Sequence, residues 1–378
     1  MGISLRGRVL LGVSLGAAAG FTASFFALKS PRPFSASKPD AAFARVASFW
    51  KPLDMGVKCG LCPFNCYLPE GTRGKCRVRM SKDGSLYTMV YGHAVSLAVD
   101  PIEKKPVFHM LPGTAILSFA TVGCPLKCTF CQNWTLSQSY PEEAKQGTLT
   151  SPEQIVNAAL ANRIPSIAYT YSEPAIFYEY MYDTARLAKA RGLRNVVVTS
   201  GFINPEPLER IARYLDVVKV DLKGIDEGFY ARDVGGWLAP VLLTLKTLHR
   251  MGVLVEVVNL VVPTRNDSDA DFDALSRWVR DNMGPDCPLF FTRFHPDYKL
   301  RNLPPTPLET LEKARKIAMR NGLNFVYIGN VPGHEAENTY CPNDKTILVK
   351  RSGYLIEYVR IKEGRCPTCG RRIPGIWR

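Results

Sequence analysis

The first 39 residues contain no aspartate or glutamate, and acid is in short supply overall: 34 Asp and Glu stand against 48 Lys and Arg, a net charge of +14. The basic excess is not evenly spread. Residues 1–39 carry five basic side chains, and residues 345–378 carry nine against two glutamates, so residues 40–344 hold a net charge of only +2. A near-neutral middle disfavours a nucleic-acid channel there, and basic tails fit a membrane surface or a partner instead. Cysteine is also scarce, 11 in 378 residues and an odd number, which excludes a small disulfide scaffold. A composition of 46% hydrophobic and 22% charged residues excludes disorder throughout. The length suits two or three domains of roughly 150 residues each.

One long apolar run is present. Val9 to Leu28 is 20 residues without a charge, about the length that crosses a hydrocarbon core at 1.5 Å per residue. Gly12, Gly16, Gly20 and Ser24 recur on one helix face, a stripe that lets a second helix approach closely. Residues 1–30 are therefore expected to form a membrane anchor, with membrane contact through residues 9–28, or else a cleaved signal segment. Lys29, Arg32, Lys38, Arg45 and Lys51 outweigh Arg6 and Arg8, which favours a cytoplasmic catalytic domain. The alternative is an organelle-targeted or exported protein. Residues 31–54, with Pro31 and Pro33, read as a linker.

The remaining cysteines fall into spaced groups. Cys59, Cys62, Cys66 and Cys76 form C-x2-C-x3-C-x9-C; Cys124, Cys128 and Cys131 form C-x3-C-x2-C; Cys341, Cys366 and Cys369 lie near the C-terminus, and Cys287 stands alone. Such short spacings suit metal chelation better than disulfides. The central loop follows an apolar, β-prone segment, Ala115 to Val122. Three thiolates can hold three irons of a 4Fe–4S cubane and leave the fourth iron open. An open metal position can bind a substrate, whereas a closed shell of four protein ligands is structural.

The C-x3-C-x-aromatic-C pattern resembles the radical S-adenosylmethionine (SAM) superfamily. That resemblance implies SAM chelated to the open iron, Phe130 beside the adenine, and a partial (β/α) barrel. The pattern downstream agrees on its own terms. Strand-like runs at 115–122, 166–171, 195–200, 216–221, 254–262, 289–294 and 324–329 alternate with helices that start at Ser151-Pro152, Glu173-Pro174, Asn204-Pro205 and Thr306-Pro307. An α/β fold of this kind carries its functional residues just past the strand C-termini. Polar residues stand there: Glu173, Ser200, Asp221, Lys223 and His295.

These strand ends resemble the glycyl-radical-enzyme activases typified by pyruvate formate-lyase activating enzyme. By that resemblance Glu173 accepts from the SAM amino group, and Ser200, Asp221, Lys223 and His295 line the SAM site. Tyr171 and Ser172 replace the two glycines usual before that Glu-Pro pair. The segments Cys59–Cys66, Gly71–Arg79, Asp100–Pro106 and Cys131–Trp134 resemble, more narrowly, the radical SAM component of the AmmeMemoRadiSam system. That likeness implies Memo-like and AMMECR-like associates. The activity implied is reductive SAM cleavage followed by hydrogen abstraction from a protein or other substrate, fed by an external electron donor. The alternative is a membrane-tethered iron–sulfur or zinc protein without SAM turnover.

Residues 55–110 form a Cys-rich subdomain in this reading, 111–335 the barrel and 336–378 a zinc-ribbon-like segment. Cys59, Cys62, Cys66 and Cys76 can hold zinc or a second iron–sulfur cluster. Cys366-Pro-Thr-Cys369 makes one zinc knuckle, and Cys341-Pro-Asn-Asp344 an opposing one in which a carboxylate replaces a thiolate; three thiolates and one carboxylate can hold zinc, and the alternative is a weakened or lost site.

Overall fold

The computed structural model describes residues 44–144 and 147–378. Runs rich in Val, such as Asn195–Val197 and Val217–Val220, are buried on both faces, as parallel strands covered by helices must be. Eight strands follow chain order across one sheet: β1 (Ser96–Pro101), β2 (Ala115–Ala120), β3 (Ser166–Tyr169), β4 (Arg194–Thr199), β5 (Val217–Asp221), β6 (Leu254–Val261), β7 (Leu289–Arg293) and β8 (Val326–Gly329). β1 runs antiparallel to β2, with Asp100 opposite Ile116, and every later pair is parallel. The crossovers are α1 (Pro152–Ala161), α2 (Tyr178–Ala190), α3 (Pro205–Ala212), α4 (Leu238–Arg250), α5 (Asp269–Met283) and α6 (Leu308–Arg320). The α/β class and the partial (β/α) barrel expected from the sequence are what the structure has.

Helix starts follow local chemistry in some places and long-range contacts in others. Ser151 caps α1 through a reciprocal box with Gln154. Thr306 does not cap α6. Its hydroxyl donates to the Val261 carbonyl at 2.6 Å and accepts from the Phe294 amide at 2.8 Å, tying two strand ends together. Asn204 stands at the start of α3, but its amide donates to the carbonyls of Gly60 (2.7 Å) and Cys62 (3.2 Å). The first cysteine-rich loop is thereby fastened to the barrel.

Two small antiparallel sheets precede the barrel, Trp50–Leu53 with Gly56–Cys59 and Tyr67–Pro69, and Arg45–Val46 with Ser85–Thr88 and Arg79–Lys82. Another, Thr339–Tyr340 with Ile347–Ser352 and Leu355–Val359, follows it. This last segment packs on the barrel through a core that joins Phe108, Val258, Phe290 and Tyr327 to Cys341, Leu348, Cys366 and Ile373. Burying each large side chain of that set contributes about 1.5–3 kcal/mol.

The expected membrane anchor is corrected. Among the described residues no helix is long and apolar enough to cross a membrane. The longest barrel helix, α5, has 15 residues and carries acids in its first turn, about 22 Å where some 30 Å of hydrocarbon must be spanned. The run Val9–Leu28 itself lies outside the described residues. Neither the anchor nor the membrane location that followed from it is retained.

Candidate functional site

The three central cysteines lie on the loop leaving β2. Gly123, at φ +100°, lets this loop press against the first cysteine-rich segment: a Cβ there would stand 2.5 Å from Val78 Cγ1 and 2.7 Å from the Cys76 carbonyl oxygen. Arg77 reaches across to donate to the Cys124 carbonyl at 3.3 Å. Further along, the amides of Lys127 and Thr129 donate to the carbonyls of Val234 and Asp233 at 3.0 and 2.8 Å. The one-turn helix Trp134–Ser137 closes the loop. None of the three thiols is in a disulfide.

Cys124, Cys128 and Cys131 open onto a cavity of about 400 Å³ at the strand C-terminal ends, within the size range of small-molecule sites. Burial, then the neighbouring Glu173, pushes the Cys124 thiol well up, and burial pushes Cys128 up to about 12 against the opposing pull of Lys223. Thiols so placed become thiolates when a metal displaces their protons. Three of them around one cavity fit a cluster bound at three corners.

Glu173, Ser200, Asp221, Lys223 and Phe130 line the same cavity. Glu173 is buried and accepts four hydrogen bonds: from the Ala175 amide (3.1 Å), the Thr199 hydroxyl (2.5 Å), and the Ser200 amide (2.9 Å) and hydroxyl (2.5 Å). Its own amide faces the Gly123 carbonyl at 3.5 Å, so the carboxylate is registered to the cysteine loop. The Phe130 ring is buried and stacked on Phe229 with centroids 5.9 Å apart. His295 is exposed and is not among the residues lining the cavity.

Asp221 sits between two lysines. It accepts from Lys223 Nζ at 3.3 Å and pairs closely with Lys219. Burial alone would raise the Asp221 carboxyl, but the two ammonium groups outweigh it and hold the carboxyl below its ordinary range. Lys219 was not singled out from the sequence. The alternation of strand side chains could have revealed it, two residues before Asp221 on the same face.

A second group, missed because Tyr171 is 71 residues from Asp100 in sequence, brings Lys104, Lys105 and Tyr171 to the same cavity. Asp100 at the end of β1 pairs with Lys104 (2.9 Å) and Lys105 (2.6 Å) and accepts from the Tyr171 hydroxyl. Lys105 also donates to that hydroxyl at 3.1 Å. Burial pushes the Lys105 ammonium down to about 8 against the pull of Asp100. Tyr171 holds φ +65°, a left-handed conformation that glycine adopts freely and tyrosine does not. The side chain that replaces glycine here is thus anchored by a buried acid.

The flanking cysteines occupy two other places. Around the first group, Cys59, Cys62 and Cys76 are buried and Cys66 half-buried. Arg79, itself 1% exposed, points Nη1 at the Cys59 sulfur (3.5 Å) and pairs with buried Glu179. Burial, then the Cys76 charge, pushes the Cys62 thiol far up, and burial pushes Cys76 up to about 11. At the other end Cys341, Asp344, Cys366 and Cys369 bring one ligand atom each within 4.8 Å of all the others, an arrangement that can hold a metal ion. Cys287 is buried beside the Val255 carbonyl, away from each group.

A partial barrel with a three-cysteine loop opening on a polar cavity at its strand ends has the fold and the thiol set that a bound metal centre needs. The family model described as the radical SAM superfamily matches residues 119–279, from the end of β2 through the cysteine loop and into α5. The chain is 46% identical over 332 residues to an uncharacterized protein of Methanocaldococcus jannaschii, across 87% of this chain and 98% of that one. It is 27% identical over 208 residues to the benzylsuccinate synthase activating enzyme of Thauera aromatica, across 50% of this chain and 62% of that protein. It is also 22% identical over 213 residues to the pyruvate formate-lyase-activating enzyme of Clostridium pasteurianum, across 51% and 86% of the two chains. The chain belongs to the radical SAM superfamily.

Proposed function

We propose that this protein is a radical SAM enzyme of the activase type, with Cys124, Cys128 and Cys131 holding a 4Fe–4S cluster and the adjoining cavity holding SAM. One observation carries the reading: three thiols and the polar ends of β3, β4 and β5 face one cavity of about 400 Å³. When bound, the cluster supplies the electron that splits SAM into methionine and a 5′-deoxyadenosyl radical, which takes a hydrogen atom from the substrate.

The chain's own residues orient and shield. Glu173 is fixed by donors from three residues, and its placement suits the SAM amino group, with the Ser200 hydroxyl yielding its bond. Asp221 between Lys219 and Lys223 offers one acceptor edge and two donors beside the loop. Phe130 covers the loop with an apolar face. Lys105 and Tyr171, held by Asp100, line the same cavity. Likeness to two activating enzymes supports a protein as the substrate, fed by an external electron donor. The narrower resemblance of Cys59–Cys66 and Asp100–Pro106 to the AmmeMemoRadiSam component supports Memo-like and AMMECR-like proteins as associates.

The test is anaerobic reconstitution with iron and sulfide, reduction by dithionite, and addition of SAM. The expected product is 5′-deoxyadenosine, lost in Cys128→Ala. Its absence from protein that carries a full complement of iron, beside an active control enzyme, refutes the reading.

A further inference from the structure

Two short turns near the C-terminus are built alike. In Cys341-Pro-Asn-Asp344-Lys345 the Lys345 amide donates to the Cys341 carbonyl at 3.0 Å, and in Cys366-Pro-Thr-Cys369-Gly370 the Gly370 amide donates to the Cys366 carbonyl at 3.0 Å. Lys345 and Gly370 both hold left-handed backbone, at φ +62° and +73°. That conformation is natural for glycine and strained for lysine, so the first turn keeps its shape against local preference. Asp344 accordingly stands where Cys369 stands in the second turn, as the fourth ligand of a paired-knuckle site.

The donor spacing matches one small ion. The sulfurs of Cys341 and Cys369 are 3.5 Å apart, and the Cys366 sulfur is 3.4 Å from Asp344 Oδ2. Metal–sulfur bonds of about 2.3 Å in a tetrahedron put neighbouring sulfurs about 3.8 Å apart. Three thiolates and a carboxylate select zinc among common divalent ions, and four protein ligands leave no position for a substrate.

The segment these turns belong to walls the barrel between its first and last strands. The Ile376 carbonyl accepts from the Leu111 amide (2.7 Å), and its amide donates to the His109 carbonyl (2.8 Å), just beyond β1. Buried Arg351 donates to the Phe108 carbonyl at 2.9 Å and to that of Glu337 at 3.0 Å. Cys341 and Cys366 pack with Tyr327 of β8 and Phe290 of β7. Tyr354, at the turn of the hairpin, reaches the cavity lining. We propose that Cys341, Asp344, Cys366 and Cys369 hold one structural zinc ion, and that this ion pins residues 336–378 as the side wall of the barrel.

The inference stands apart from the chemistry of the central loop, and its test reads zinc, not activity. Zinc per chain is measured on anaerobically purified full-length protein, on Cys366→Ser and on Asp344→Cys. The expected result is one zinc equivalent fewer in Cys366→Ser, full zinc in Asp344→Cys, and unchanged iron in both. Where Cys366→Ser fails to fold, the unmutated protein is stripped with a zinc chelator and digested with trypsin. Cleavage within residues 336–378 should quicken at least tenfold and slow again when zinc alone is restored. Equal zinc in the unmutated protein and Cys366→Ser, cleavage indifferent to zinc, or a Cys341–Cys369 disulfide in the anaerobic protein overturns the proposal.

Discussion

Cys128 and Cys366 both sit in short loops with a second cysteine three residues on, yet the two loops have opposite surroundings. Around Cys128 only three thiols are supplied, and beyond them lies a cavity of about 400 Å³ with Glu173, Asp221 and four lysines on its walls. Around Cys366 a carboxylate completes the set of four, and apolar side chains of the barrel close in behind it. The difference lies in what each loop leaves uncovered. A shell short of one ligand leaves room for chemistry, and a complete one adds cross-linking.

The comparison breaks most visibly at Cys128. Replacement by Ala should reduce 5′-deoxyadenosine formation to background while zinc content and thermal stability stay near those of the unmutated protein. Loss of both together would mean that the two loops are not independent. Gly123→Ala comes next. Its Cβ would overlap Val78 and the Cys76 carbonyl in a left-handed backbone, a cost of about 3 kcal/mol or more. Denaturant unfolding should register that loss, and iron bound at the central loop should fall with it. An unchanged midpoint would show that the first cysteine-rich segment does not brace the loop.

A pH effect belongs to the side-wall half of the comparison. Glu256 of β6 is fully buried and accepts from the amides of Phe108 (3.0 Å) and His109 (2.9 Å). Burial raises its carboxyl from 4.5 to about 7, despite those two bonds. Below pH 4.5 both folded and unfolded chains hold the proton and the group contributes nothing. As pH rises through this window the unfolded state releases its proton first, so stability falls, by up to about 3 kcal/mol above pH 7. The melting temperature of the unmutated protein should therefore drop between pH 5 and 8 more than that of Glu256→Gln. Parallel curves would remove Glu256 as the cause.

The smallest effect is expected at Tyr171→Phe, which deletes the hydroxyl shared by Asp100 and Lys105. A loss of about 1 kcal/mol in stability is expected, with zinc content unchanged and SAM cleavage retained.

Which parts could be read from the sequence follows from the range of the interactions. The cysteine spacings are local, and the strands of the barrel announce themselves as Val-rich runs buried on both faces. Ser151 caps its helix because its partner, Gln154, is three residues away. Thr306 and Asn204 looked equivalent, but strand ends and the Gly60–Cys62 loop claimed their polar groups, contacts that no local pattern encodes. β1 escaped notice because its residues are mostly half-buried at a sheet edge. The Asp100–Lys105–Tyr171 group needs β1 beside the turn after β3, and Lys219 needed only the strand period. His295 stands past a strand end like the others, yet its side chain is exposed and not among those lining the cavity.

The account turns on an iron site at Cys124, Cys128 and Cys131 that keeps one corner for SAM. Electron paramagnetic resonance of the reduced, reconstituted protein tests this directly. Adding SAM should change the cluster's spectrum, and the change should vanish in Cys128→Ala. A spectrum indifferent to SAM, or zinc in place of iron at that loop, would contradict it.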